Sequence, residues 1–189
     1  MPDHPILAFA EAVEFAHWLE RHHADHPGIW LRIFKKGSGR PTITYAEALD
    51  EALCFGWIDG QKQRGDEASW LQKFTRRGPR SVWSKVNTGH VERLTLAGRM
   101  RPAGLAAVEA ARADGRWEKA YHSSRTAEMP EDFVRELARL PKAQAFFDTL
   151  NKANRYAIFY RLQSAKRPET RARRLQEFLA MLERGEKLH

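Results

Sequence analysis

The chain has 189 residues, of which 42% are hydrophobic and 30% are charged, and its formal net charge is +8. No apolar tract approaches the roughly 20 residues that a membrane-spanning helix needs, so the composition excludes a membrane protein. The single cysteine, Cys54, cannot form an internal disulfide, which agrees with a reducing compartment.

The first residues of the chain indicate a location in the cell. Residues 1–5 contain no basic segment, and the short apolar run from Ile6 to Ala10 is followed at once by Glu11. A secretory signal peptide requires a basic start and a longer apolar stretch. We therefore expect a cytoplasmic protein.

The first third of the chain predicts two helices and a strand. Apolar residues recur at helical spacing between Glu11 and His22, and the β-prone run from Ile29 to Phe34 follows. Thr44 and Glu47 have the spacing of a capping box, in which each side chain binds the other residue's backbone amide. This pattern predicts a second helix that ends at Gly56.

Two more strands are predicted after Gly56. Apolar and polar residues alternate in residues 57–59 and 70–74, and Gly65-Asp66-Glu67 between them has the composition of a turn. The pattern predicts a hairpin, with Trp57 and Trp70 in its core. Together with the strand at Ile29 to Phe34 it predicts a small antiparallel sheet.

From Ser84 onward the signals are helical, because prolines recur where the first residue of a helix would lie. The predicted fold class is therefore α+β, with a small antiparallel sheet and helices in the N-terminal half and a helical cluster in the C-terminal half. We expect residues 1–121 to form the α+β region and residues 129–189 the helical region, packed together as one unit. Residues 122–128 are the predicted linker.

Positive charge is concentrated in two segments. Residues 56–87 carry 7 basic and 3 acidic side chains, and residues 150–189 carry 10 and 4, whereas residues 1–55 carry 5 and 8. A local excess of one sign creates a local field, so we expect an anionic partner. A solvated basic surface that binds nothing explains these counts equally well.

Two other polar clusters are weaker candidates for chemistry. Residues 35–41 combine glycines with cations but lack the spacing of a P-loop, which favours a basic connector. His22, His23 and His26 could ligate a metal, but Pro27 frays the helix there and no second ligand cluster follows. The sequence therefore predicts neither a cofactor nor a metal site.

The strongest candidate for a binding site is the basic segment that precedes the third predicted helix. Pro79 stiffens a bend within it, and Ser84 or Asn87 can cap a helix whose amides point back toward the arginines. Guanidinium groups, hydroxyls and a helix N-terminus form oxyanion and phosphate sites, and a tryptophan can stack on a ring. An ordinary strand-to-helix connection is the alternative. The ligand-binding candidates are Arg76, Arg77, Arg80, Ser81, Trp83, Ser84 and Asn87.

Two charged residues outside this segment complete the predicted site. Asp59 lies between apolar neighbours on a strand, where a carboxylate must pair with a cation or stay protonated. An ion-paired acid that fixes the hairpin is favoured over an acid/base catalyst. Arg171 lies in line with the apolar stripe of the last helix, so it needs an acceptor such as Asp59 or a bound anion, unless its head reaches water.

Three motifs resemble a known family. Ala52 to Gly60 (ALCFGWIDG), Pro79 to Asn87 (PRSVWSKVN) and Ala165 to Arg171 (AKRPETR) are similar to the YdeI/OmpD-associated family, also labelled bacteriocin-protection. The similarity extends from about Phe15 to the C-terminus. It implies a link to antimicrobial-peptide or stress resistance and to porin or peptide association, sometimes in the periplasm. It assigns no catalytic residue.

We expect a binding protein for an anionic or aromatic small ligand. The first alternative is a nucleic-acid-binding protein that uses the two basic segments as one stripe, with Trp83 available for stacking. The second is an enzyme with Asp59 as acid/base and the arginines as anion clamps. The sequence offers no obvious nucleophile or metal for that chemistry, so it favours binding over catalysis.

Overall fold

The computed structural model describes residues 4–122, 127–165 and 167–188. The chain divides into two compact units, Met1–Ala120 and Tyr121–His189, and each has its own hydrophobic core. Residues 123–126 of the predicted linker lie outside the described residues. The packing of both regions as one unit stays a prediction.

In the described residues, the first unit combines a four-stranded sheet with four helices. Its elements in chain order are β1 (Ile6–Leu7), α1 (Ala12–His22), β2 (Gly28–Phe34), α2 (Tyr45–Cys54), β3 (Trp57–Arg64), β4 (Ser69–Arg76), α3 (Lys85–Leu96) and α4 (Pro102–Ala113). The strand order is β1-β2-β4-β3. This arrangement confirms the predicted α+β class.

The predicted hairpin and its neighbouring strand are confirmed by the pairing of the strands. β4 pairs antiparallel with β3 on one side and with β2 on the other. β1, which the sequence did not predict, pairs parallel to β2, so the sheet is mixed rather than purely antiparallel. A strand of two residues is too short for an alternating pattern to be recognised.

One face of the sheet carries the core of the first unit. Ile29, Leu31, Trp57 and Phe74 have no exposed surface, and they pack in one cluster with residues of α1 and α2. They share a face because side chains alternate along a strand. The indole nitrogen of Trp57 donates to the carbonyl of His23 at 3.0 Å, so the buried ring has its polar group satisfied. Trp57 is therefore hairpin core, as predicted.

The predicted capping box fixes the start of α2. The amide of Glu47 donates to the hydroxyl of Thr44, and the amide of Thr44 donates to the Glu47 carboxylate at 2.9 Å. The same backbone bond, with help from the Thr44 hydroxyl, lowers the pKa of Glu47. The helix ends before Gly56, whose φ of +74° lies in the left-handed region that glycine tolerates.

Helix α4 touches the C-terminal turn of α2 at Gly104. A Cβ atom on Gly104 would lie 2.2 Å from the carbonyl oxygen of Cys54 and 2.9 Å from that of Leu53. The amide of Arg101 donates to the same Cys54 oxygen at 3.0 Å. The missing side chain of Gly104 therefore allows the two backbones to touch, and this contact sets the position of α4.

The second unit confirms the predicted helical cluster. Its helices are α5 (Glu131–Leu137), α6 (Pro141–Thr149), α7 (Lys152–Gln163) and α8 (Pro168–Glu183). Prolines begin α6 and α8 as expected, whereas Pro130 occupies the N-cap of α5. The centre of the core has no exposed surface and consists of Phe133, Ala143, Ile158, Leu162 and Leu182. None of the helices among the described residues has the length and apolar character needed to cross a membrane.

We expect Gly104→Ala to destabilise the first unit by about 1–3 kcal/mol, because a methyl group would force two packed helices apart. Gly89→Ala is the matched control, since Gly89 lies in α3 and an added Cβ would meet nothing within 4 Å. Alanine should stabilise that helix by about 0.5–1 kcal/mol. Urea unfolding followed by tryptophan fluorescence measures both, because all 6 tryptophans lie in the first unit. Equal stabilities of the two variants would contradict the role assigned to Gly104.

Candidate functional site

The basic segment between β4 and α3 is held in place by hydrogen bonds from arginine side chains to backbone carbonyls. Arg76 donates to the carbonyl of Ala24 at 2.6 Å, which ties the end of β4 to the turn after α1. Arg77 donates to the carbonyl of Val82 at 3.1 Å and so closes the bend between them. Two of the predicted ligand-binding arginines therefore also shape the backbone of the site.

Arg116, which the sequence did not single out, holds the same bend from the turn after α4. Its guanidinium donates to the carbonyl of Ser81 at 2.8 Å and pairs with the carboxylate of Asp114 at 2.7 Å. The Ser81 hydroxyl accepts a hydrogen bond from the amide of Gly78 at 2.9 Å. A hydroxyl that accepts one bond keeps its own proton available, so Ser81 can still donate to a ligand.

Trp83 lies in the core of the first unit, with only 2% of its surface exposed. The guanidinium of Arg77 lies 3.4 Å from the centre of its ring, and Trp117 packs beside it with ring centroids 4.9 Å apart. A cation over the face of an indole ring stabilises the pair. Stacking of Trp83 on an aromatic ligand would therefore require Arg77 to leave the ring.

The indole nitrogen of Trp83 is buried, and it has no hydrogen-bond acceptor in the part of the chain that the structure describes. A buried donor that lacks an acceptor costs about 1–3 kcal/mol. Exceptions of this kind are rare in folded proteins and call for a partner. The polar group of Trp83 that the described fold leaves unsatisfied is therefore its indole nitrogen.

Helix α3 begins directly after Trp83. The Ser84 hydroxyl accepts from the amide of Asn87 at 3.1 Å, which confirms Ser84 as the predicted cap. The amides of Lys85 and Val86 precede the first bond of the helix, from Thr88 to Ser84, so they have no partner within it. Such an N-terminus favours a negative charge.

Asn87 lies in the first turn of α3 and is largely buried. Only 8% of its surface is exposed. Its backbone amide binds Ser84. Its side-chain amide is not among the buried atoms that lack a hydrogen-bond partner, so Trp83 is the residue that carries the unsatisfied donor near this helix start.

Three cations of the basic segment have no acidic partner among the described residues. Within the described ranges Arg76, Arg80 and Lys85 form no ion pair, whereas Arg116 pairs with Asp114. An unpaired cation near a helix N-terminus adds to the positive potential there. The first basic segment therefore presents a net positive surface.

Asp59 belongs to a different polar cluster on the sheet. Its carboxylate accepts a hydrogen bond from the hydroxyl of Tyr45 at 2.8 Å. The ring of Tyr45 lies 6.3 Å from Trp70, and the ammonium of Lys62 lies 4.2 Å from the Trp70 ring. Among the described residues a tyrosine hydroxyl takes the place of the predicted ion-pair partner, and no hydrogen bond or ion pair joins Asp59 to Arg76 or Arg77.

Arg171 lies in the second unit, where it binds an acid that the sequence did not suggest. Its guanidinium donates to both carboxylate oxygens of Asp132, one of them at 2.8 Å. This bond lowers the pKa of Asp132 and raises that of Arg171. Asp132 therefore replaces Asp59 and a bound anion as the acceptor that Arg171 needs. The membership of Arg171 in a ligand site stays a prediction.

Two clefts of the second unit share Arg171 in their lining. One has a volume of about 580 Å³ and is lined by His122, Glu128 and Phe159 beside Arg171. The other, of about 540 Å³, lies between α5 and α8. Arg171 lines both clefts, but Asp132 already occupies the guanidinium that an anionic ligand would need.

The histidines and the cysteine have packing roles. Trp18 packs against the rings of His22 and His26, with centroids 5.0 and 5.3 Å away. Within the described residues no group of His, Cys, Asp and Glu could hold a metal ion. Burial raises the pKa of the Cys54 thiol to about 11, so it stays protonated at neutral pH. Cys54 is a small core side chain, as the sequence suggested.

These features define a two-unit α+β protein with a cationic helix N-terminus in its first unit. The chain belongs to the family described as Domain of unknown function (DUF8412), whose model matches residues 7–107. Residues 126–185 match the family described as Bacteriocin-protection, YdeI or OmpD-Associated, which confirms the resemblance seen in the sequence. That match contains the motif from Ala165 to Arg171, while the other two motifs lie in the range of the first family. No curated protein and no solved structure gives a significant match.

We expect the pair of Arg171 and Asp132 to make the stability of the second unit depend on pH. The hydrogen bond from Arg171 lowers the pKa of Asp132 in the folded state. The stabilisation is therefore fully present above the unfolded pKa of about 4, and it is lost as the pH falls through the folded value. Asp132→Asn should lower the stability of the second unit by about 1 kcal/mol at neutral pH. It should also make that stability less sensitive to acid.

Amide hydrogen exchange of α5 and α8 between neutral pH and about pH 3 measures this effect, since it reports local opening of those helices. Glu177→Gln is the control, because it removes an exposed carboxylate that binds Arg173 on the outer surface of α8. Its acid dependence should match that of the unaltered protein. An unchanged acid dependence in Asp132→Asn would show that the pair does not stabilise the second unit.

Proposed function

We propose that the first unit binds a small anionic ligand at the N-terminus of α3. The observation that carries this proposal is the buried indole nitrogen of Trp83, which has no acceptor within the described residues and directly precedes the cap of α3. We name the surrounding residues the α3 site; they are Arg80, Ser81, Trp83, Lys85 and Asn87.

The donors of the α3 site differ in chemical type, and an anion can accept from all of them. The proposal assigns hydrogen bonds to the indole of Trp83, the side-chain amide of Asn87, the Ser81 hydroxyl and the first amides of α3. Arg80 and Lys85 supply positive charge, since neither is paired with an acid in the described chain. Hydrogen bonds to a charged acceptor are about twice as strong as neutral ones.

The cover over Trp83 favours an anionic ligand over an aromatic one. Arg77 lies on the ring and Trp117 packs beside it, so a planar ligand has no ring face to stack on. The edge of the indole carries the unused donor. Arg77 and Ser84 then act as positioning residues, because one holds the ring and the other forms the helix cap.

The match of the second unit to the bacteriocin-protection family extends the proposal to the whole chain. We propose that ligand binding at the α3 site is the molecular activity of a stress-resistance protein, and that an association with a peptide or a porin involves the second unit. The location proposed is the cytoplasm, with the free thiol of Cys54 in support.

The indole resonances of a ¹⁵N-labelled sample provide a direct test. We expect the Trp83 signal, assigned through Trp83→Phe, to move when inorganic phosphate or pyrophosphate is added, since its proton gains an acceptor. The Trp57 signal is the internal control, because its nitrogen already donates to His23. If neither anion moves the Trp83 signal, the proposed site is wrong.

Calorimetric titration with pyrophosphate tests the cations of the site. Arg80→Gln and Lys85→Gln should each weaken binding by roughly three- to tenfold, because each removes one charge-assisted contact of about 1 kcal/mol. Lys142→Gln, which removes an exposed cation at the start of α6, should leave the affinity unchanged. Tighter binding of an oligonucleotide, with a steep loss of affinity in salt, would instead support the nucleic-acid hypothesis.

A further inference from the structure

An apolar groove lies between α3 and α4, at the end of α3 opposite the α3 site. It has a volume of about 440 Å³, and it is lined by Val91, Leu96, Leu105 and Val108 together with the polar residues Glu92, Thr95, Glu109 and Arg112. Leu96 is 91% exposed at its edge and Leu105 is 39% exposed. Full burial of a leucine side chain contributes about 1.5–3 kcal/mol, so these side chains would gain from a partner.

The outer surface of α4 continues this apolar area. The helix has 12 residues, and only Glu109 and Arg112 among them are charged. Its exposed positions include Ala106, Ala110 and Ala113. A surface helix of a globular protein usually carries charged residues on its outer face. Alanine at these positions would allow another helix to approach within about 8 Å.

Glu109 and Arg112 lie three residues apart on α4, and both line the groove together with Glu92. Neither Glu109 nor Arg112 forms an ion pair with any residue that the structure describes, and the Arg112 guanidinium lies 5.1 Å from the centre of the Trp117 ring. If α4 packs antiparallel against another α4, with a two-fold axis midway between these residues, Glu109 of each copy meets Arg112 of the other. A two-fold contact has this reciprocal form, in which one patch is its own partner.

We propose that this surface binds a second copy of the chain and forms a two-fold symmetric dimer. We name it the α4 face, and it consists of Leu96, Leu105, Ala106, Glu109, Ala110 and Arg112. The apolar residues supply the buried area, and the two reciprocal ion pairs set the antiparallel register. Electrostatic pairs of this kind select the partner and fix the register of an interface more than they raise its affinity.

The oligomeric state of the full chain in the micromolar range tests the proposal, measured by size-exclusion chromatography with light scattering. The unaltered protein should be a dimer. Leu105→Glu should make it monomeric, because it places a charge in the apolar centre. Glu109→Arg and Arg112→Glu each replace both reciprocal ion pairs of the dimer by contacts between like charges. Each variant should therefore weaken dimerisation at least about tenfold.

Mixing the two charge variants separates a specific interface from general damage. Glu109→Arg and Arg112→Glu chains should form a heterodimer with each other, since their contacts restore opposite charges, and the double variant should again form a homodimer. Glu118→Arg, an exposed change outside the α4 face, is the control. Thermal unfolding verifies that each variant stays folded.

Three results would overturn the proposal. They are a monomeric unaltered protein, a dimer that is insensitive to both charge reversals, and folded charge variants that do not pair on mixing. Binding of a basic amphipathic peptide to a monomeric chain, lost in Leu105→Glu, would assign the groove to another partner and would also exclude the dimer.

Discussion

The contact between Arg77 and Trp83 is the constraint on which the basic segment depends. A guanidinium 3.4 Å from the ring centre buries the indole face, while the hydrogen bond from Arg77 to Val82 closes the bend that leads into α3. One side chain thus sets both the backbone path and the direction of the indole edge. The covered face and the unsatisfied edge are the observations that support the proposed hydrogen-bonding anion over a stacking ring.

The two basic segments differ in part in how their cations are paired. In the second unit Arg171, Arg173 and Arg184 each bind a nearby acid, whereas other described cations of that segment, such as Lys152, Arg161 and Arg174, form no ion pair. In the first unit Arg76, Arg80 and Lys85 form no ion pair with the described residues, and Lys85 is the first residue of α3. A count of charges along the chain cannot separate these cases, since it records neither partners nor distances. Pairing in space therefore decides which excess of charge is available to a ligand.

Local patterns were sufficient for much of the fold. The capping box of α2, the Ser84 cap and the hairpin were all predicted, because each depends on residues a few positions apart. The parallel pairing of β1 and the contact of Arg171 with Asp132 were not predicted, because the partners are far apart in sequence. The ion pair joins residues 39 positions apart.

Within the candidate site, the arginines and serines were recognised from the sequence as polar groups that could bind a ligand. The contact of Trp83 with Trp117 and the support from Arg116 were not predicted, because their partners lie far apart in sequence, by 35 positions for the bond from Arg116 to Ser81.

Helix α3 connects the two proposed surfaces and also separates them. Its 12 residues span about 18 Å at 1.5 Å per residue, with the α3 site at one end and Leu96 of the α4 face at the other. Side chains so far apart that share no partner contribute independently to free energies. A small anion and a second copy of the chain would therefore not compete, and the loss of one interaction would leave the other measurable. The position of α4 depends instead on the contact of Gly104 with Cys54, so the α4 face requires a correctly packed core rather than a bound ligand.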